Sequence, residues 1–191
     1  NWNGSAWTEV ADMSTARNGI GVGACGTNTS ALAVSGQDSP GILTVNESWN
    51  GSAWTEVGDI NSGRVGAGVS GADNTSALYF GGSNPPTSSL GVVESWNGTS
   101  WTETTDLNTA RRYSVGIGTN PSALYIGGYS TTIVANTEEW NGSTWTETAD
   151  LNAVESELGA NGTTSSALAF GGEGVSSSTE EWTKNAPVGA F

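Results

Sequence analysis

The sequence predicts an all-β fold of four repeated antiparallel units, and three observations predict it. A tryptophan pair brackets a turn at Trp2/Trp7, Trp49/Trp54, Trp96/Trp101 and Trp140/Trp145, with a further single tryptophan at Trp182. First-tryptophan spacings of 47, 47, 44 and 42 residues are the length of one supersecondary unit. Between the pairs run short apolar segments punctuated by Gly, Asn and Ser, with no helical period.

Each unit contains four such segments. The first is glycine-punctuated, as in Gly19-Ile20-Gly21-Val22-Gly23 and Val115-Gly116-Ile117-Gly118. The second is apolar and ends at glycine or serine: Ala31 to Val34, Ala77 to Phe80, Ala123 to Ile126 and Ala167 to Phe170. The third ends in the first tryptophan, as in Val92-Val93-Glu94-Ser95-Trp96, and the fourth starts at the second, as in Trp101-Thr102-Glu103-Thr104. Asn-Gly-Ser or Asn-Gly-Thr follows each first tryptophan, and Asn and Gly tolerate the positive φ of a tight hairpin turn. Both tryptophans of a pair therefore share one sheet face, where Trp7, Trp54, Trp101 and Trp145 are expected to pack between neighbouring sheets.

Four-stranded units repeated around an axis make a four-bladed β-propeller, with the glycine-rich first strand innermost, where backbones crowd. One domain spans residues 1–191. In chain order the strands are one outer strand, three complete sets and a final set of three ending at Trp182, so the N-terminal strand is expected to complete the last blade. The same complementarity serves a monomer or a ring-completing dimer.

Nineteen acidic and five basic residues give a formal charge of −14, which repels nucleic acid and anionic membranes. No apolar run is long enough to span a bilayer, so membrane insertion is not expected. A single cysteine, Cys25, excludes an internal disulfide, and the absence of histidine removes the commonest general base and metal ligand.

The residues resemble the kelch repeat of galactose-oxidase-like propellers. A double glycine follows the second strand at Gly81-Gly82, Gly127-Gly128 and Gly171-Gly172, with Ser35-Gly36 in the first repeat. An arginine follows the second tryptophan by ten residues at Arg17, Arg64 and Arg111, where the fourth repeat has Glu155. The resemblance implies a propeller that binds partners through its loops. The copper site of the catalytic relatives needs histidines, so that activity is not carried over.

An aspartate five residues after each second tryptophan (Asp12, Asp59, Asp106, Asp150) suggests that carboxylates or loop carbonyls fix each arginine inside its blade. Glutamates recur at Glu47, Glu94, Glu138 and Glu180 on third strands, and at Glu9, Glu56, Glu103 and Glu147 on fourth strands. Such clusters are the one arrangement offering oxygen ligands to Ca²⁺, although no Asp-x-Asp-x-Asp loop accompanies them. The expectation is no cofactor, no metal and no catalytic residue, because these carboxylates repeat in every unit whereas a catalytic pair is singular. The Asn-x-Ser/Thr matches are by-products of the hairpin turns.

Loops after the double glycine differ between repeats: Gln37-Asp38-Ser39-Pro40, Ser83-Asn84-Pro85-Pro86-Thr87, Tyr129-Ser130-Thr131 and Glu173-Gly174-Val175. Variation on a uniform scaffold is where recognition resides, so Asp38, Asn84, Tyr129 and Glu173 are the candidate ligand-face residues. The expected role is a non-enzymatic binding, adhesion or structural module for a protein or glycan partner; the compartment stays open, with an extracellular or virion surface as one setting. A lectin-like propeller and a carboxylate-based glycoside hydrolase are the alternatives.

Overall fold

The structure is a computed structural model that describes residues 1–23, 25–39, 41–84, 88–173 and 176–184. Among these residues every regular element is a β-strand. The first sheet holds β1 (Gly26–Thr27), β2 (Ser30–Val34), β3 (Asn46–Trp49) and β4 (Trp54–Val57). The second holds β5 (Gly68–Asp73), β6 (Ser76–Phe80), β9 (Val93–Trp96) and β10 (Trp101–Glu103), with a small hairpin of β7 (Ser83–Asn84) and β8 (Ser88–Ser89) inserted after β6. The third holds β11 (Val115–Thr119), β12 (Ser122–Ile126), β13 (Thr137–Trp140) and β14 (Trp145–Glu147). The fourth holds β15 (Gly159–Thr163), β16 (Ser166–Phe170) and β17 (Thr179–Thr183). Pairing within each sheet is antiparallel and follows chain order from the inner to the outer strand.

The tryptophan turn sets the outer register. Trp49 faces Trp54, Trp96 faces Trp101 and Trp140 faces Trp145, with ring centroids 5.3, 5.4 and 5.4 Å apart. Inside the first of these turns Asn50 Oδ1 accepts the N–H of Ser52 and of Ala53, both at 2.9 Å, which ties the loop to its own strand. Trp101 packs edge-on against Tyr79, and Trp145 packs edge-on against Phe80 of the preceding sheet. The core accordingly lies between sheets, in three clusters. One joins Leu32 and Val34 to Tyr79, Trp96 and Trp101; a second joins Leu78 and Phe80 to Tyr125, Trp140 and Trp145; a third joins Leu124 and Ile126 to Ala167 and Ala169.

A polar latch repeats at the same boundaries. Asn74 Nδ2 donates to Ser48 Oγ and the Trp49 carbonyl, and Asn120 Nδ2 donates to Ser95 Oγ and the Trp96 carbonyl. Near the axis the backbones come closest. A Cβ at Gly116 would lie 2.6 Å from the Phe80 ring and 2.7 Å from the Val69 carbonyl oxygen, so only glycine fits there.

One expectation is corrected. Gly19 to Gly23 is not a strand of its own sheet: Val22 bridges in parallel to Gly68, and Gly23 bridges in parallel to Gly116. Val22 spends its N–H and carbonyl on the neighbouring inner segments, and although Gly21 and Cys25 still bond Val34 and Leu32 of β2, only Gly26–Thr27 form a regular ladder with it. The fourth sheet has three strands among the described residues, and the N-terminal segment is not paired to it in this arrangement. Trp2 bridges to Trp7 instead, and their rings lie 5.6 Å apart and 48% and 80% exposed. The Asn3 side chain and the Asn1 carbonyl accept hydrogen bonds from Ala6 and Thr8 within this hairpin.

Candidate functional site

Two layers build the loop face, a buried ionic layer and an exposed rim. In the buried layer Arg17 pairs with Glu47, Arg64 with Glu94 and Arg111 with Glu138, each at 2.6 Å with both side chains 0% exposed. The carboxylate partner is therefore the third-strand glutamate and not the recurrent aspartate. Asp59 accepts the Thr44 hydroxyl, and Asp150 accepts the Thr137 N–H. Loop carbonyls do contribute: Ser62 O accepts from Arg64, and the second-strand carbonyls of Tyr79 and Tyr125 accept from Arg64 and Arg111. The Arg64 and Arg111 guanidinium groups also lie 4.4 and 4.6 Å from the Tyr79 and Tyr125 ring centroids. Burial would raise the Glu47 carboxyl, but the Ser14 N–H, the Arg17 guanidinium and the Thr15 N–H outweigh it and hold it below the ordinary carboxylate value.

Where the fourth repeat has Glu155, the layer changes. Glu180 keeps the Asn152 and Ala153 N–H groups, and Glu155 turns to the Ser176 hydroxyl. Fourth-strand glutamates do face third-strand ones in register, as Glu47 with Glu56, Glu94 with Glu103 and Glu138 with Glu147. One member of each pair is buried against arginine and the other is exposed, so no free carboxylate couple results. No group of three or more metal-ligating side chains occurs among the described residues. Burial pushes the Cys25 thiol up to about 12, which makes it a poor nucleophile.

The rim is built from the residue two positions after each arginine or its Glu155 counterpart. Gly19, Gly66, Tyr113 and Glu157 occupy it, with φ of 62°, 63°, 56° and 58°. This left-handed conformation lets successive repeats join: Tyr113 N–H donates to the Gly66 carbonyl at 2.7 Å, and Glu157 N–H donates to the Tyr113 carbonyl at 2.8 Å. Glycine adopts it freely, whereas a side chain there costs about 1 kcal/mol. Gly19, Ile20, Val22, Gln37, Val65, Gly66, Tyr113 and Glu157 surround a cleft of about 370 Å³, to which all four repeats contribute. Glu157→Gly is expected to stabilise the fold by about 1 kcal/mol, and Gly66→Ala to destabilise it, since its Cβ would lie 2.8 Å from the Tyr113 ring. Urea denaturation of both variants checks the pair.

The predicted loop residues fall on this face in different settings. Asp38 and Asn84 come together at a shallow depression of about 620 Å³ shared with Gln37 and Ile42. Tyr129 pairs through its backbone with Arg112 and lays its ring 4.8 Å from that guanidinium. Glu173 accepts the Ser156 hydroxyl at 2.8 Å. Pro40, Pro85 to Thr87, Gly174 and Val175 lie outside the described residues. Arg112, Tyr113 and Glu157 were not singled out from sequence, although Tyr113 and Glu157 are visible there as breaks in a glycine column. The tryptophans resolve as packing: Trp49, Trp101 and Trp145 are buried and Trp54 is half-buried, whereas Trp7 stands free.

These features define an all-β repeat protein of antiparallel sheets with a buried ionic layer beneath a variable loop face. No protein-family model and no curated protein matches the chain.

Proposed function

We propose that this chain is a non-enzymatic binding module, a kelch-like β-propeller of four blades that recognises its partner on the loop face. The observation that carries this reading is the cleft to which all four repeats contribute, edged by side chains that keep a strained backbone where glycine would be unstrained. Four blades are supported by the tight axis, where Val22 O accepts the N–H of Val69 in the second sheet and of Gly116 in the third. A wide ring would hold alternate inner strands too far apart for such bonds. Closure is supported by unpartnered complements at both ends of the array. Leu168 and Phe170 are 45% and 44% exposed, whereas their counterparts Leu78 and Phe80 are fully buried. Asn28 stands where Asn74 and Asn120 form latches, and its side chain is exposed. A groove of about 250 Å³ between the third and fourth sheets, lined by Leu124, Ile126, Leu151, Ala167 and Trp182, lies in the fourth-strand tryptophan's place. The segment Trp7-Thr8-Glu9-Val10 is identical to β4, Trp54-Thr55-Glu56-Val57, and we assign it to that groove.

Amide-resolved NMR titration with a peptide panel and an oligosaccharide panel tests the binding reading. Shifts are expected to cluster at Asp38, Asn84, Tyr113 and Tyr129. Shifts confined to the Asn-Gly-Ser turns on the opposite end, or none with either panel, would overturn it.

A further inference from the structure

The axial cleft has a definite chemistry. Ile20, Val22 and Tyr113 are 37%, 38% and 38% exposed, so its wall is an apolar and aromatic surface open to solvent. At its edge the Glu157 side chain is exposed, and its carboxylate accepts no hydrogen bond among the described residues. The carboxylates nearest the arginine layer and rim are engaged among the described residues: Glu47, Glu94 and Glu138 by arginine, Glu180 by N–H groups and Glu173 by the Ser156 hydroxyl. Four of the five basic residues are likewise paired with glutamate, Arg17, Arg64, Arg111 and Lys184. The chain as a whole carries −14.

We propose that this cleft takes the side chain of a lysine from a basic partner segment. This rests on the loop-face reading above and names its ligand class. The aliphatic stem would lie along Ile20, Val22 and the Tyr113 ring, as long cationic side chains do on apolar surface. The ammonium would reach the Glu157 carboxylate, whose charge-assisted bond is the strong contact, with the Gln37 side chain beside it. The Arg112 guanidinium lies 5.4 Å from the Tyr113 ring centroid, which disfavours a second cation over that ring and assigns the head group to Glu157. The acidic field adds long-range attraction for a basic segment and repels an anionic one.

Calorimetric and NMR titration with N-acetyl-tetralysine amide, tetraglutamate and cellotetraose separates the readings. Tetralysine is expected to bind, to shift Tyr113 and Glu157 amides, and to weaken as salt is raised. Glu157→Gly, expected to fold at least as well as the parent, should weaken binding at least tenfold. Glu103→Gln, which removes an exposed fourth-strand carboxylate, should change it less than twofold. Equal weakening by both variants, or by neither, would assign tetralysine to the diffuse acidic surface and overturn the proposal. Cellotetraose binding with shifts at the loop face would overturn the lysine assignment and leave the binding module standing; loop-face silence toward all three probes and both panels would overturn both.

Discussion

Arg111→Ala is expected to cost about 3–5 kcal/mol, the range for removing one partner of a buried ion pair. The Glu138 carboxylate would keep the Asn108 N–H and Nδ2 and the Thr109 N–H as donors but lose its counter-charge in a site closed to water. The Tyr125 carbonyl would lose its donor and the Tyr125 ring its stacked cation. Denaturant unfolding measures the loss, and a value under about 1 kcal/mol would remove the ionic layer from the account of stability. The companion variant Arg111→Met with Glu138→Gln removes both charges, and it should recover a large part of the loss because desolvating two ions is itself costly. The layer also has an acid limit, which Glu47 exemplifies. Its folded-state value lies below the ordinary 4.5, so its contribution is present above that pH and is lost as the pH falls through the lower folded value. The expected signature is a midpoint that drops on the acid side of 4.5, less steeply in Glu47→Gln.

Trp7→Ala is the second large effect, and it discriminates between a closed ring and a free hairpin. Seated between the third and fourth sheets, Trp7 would be an interior tryptophan like Trp145, whose truncation should cost about 3–5 kcal/mol. Left 80% exposed, it would change stability by less than about 0.5 kcal/mol. Closure through the Trp7 strand therefore predicts that Trp7→Ala and Trp145→Ala lose comparable stability in one cooperative transition. Light scattering on the same samples distinguishes a strand seated within one chain, at 19.4 kDa, from one exchanged between two copies at twice that mass.

The sheets and their register were legible because they depend on local chemistry. The Trp-Asn-Gly-Ser turn fixes β3 against β4, and Ala-Leu-Tyr-Phe at 77–80 reads as a buried strand without reference to anything distant. The partner of each arginine was not legible. Glu94 and Asp59 recur with equal regularity, and only the pairing of β6 with β9 brings the Glu94 side chain beneath Arg64. Gly19 to Gly23 misled for the opposite reason. Its glycines allow a strand but also allow the close parallel approach to Gly68 and Gly116, and the crowded axis selects the second. The rim of the candidate site was half visible: the loops after the double glycine set apart the end where Asp38, Asn84, Tyr129 and Glu173 lie, and Tyr113 and Glu157 break a glycine column, whereas the left-handed backbone they share is seen only in the fold.

The latches of Asn74 and Asn120 have an implication for how such a chain could grow. Each joins an inner hairpin to the main chain and a serine of the sheet before it, and an apolar cluster with a tyrosine and tryptophans lies at each of these boundaries. The boundary, half of one repeat and half of the next, is thus the unit that must be kept intact. Duplicating a stretch from one tryptophan pair to the next copies a whole boundary and invents no new contact, so gene duplication can lengthen the array while each loop remains free to diverge.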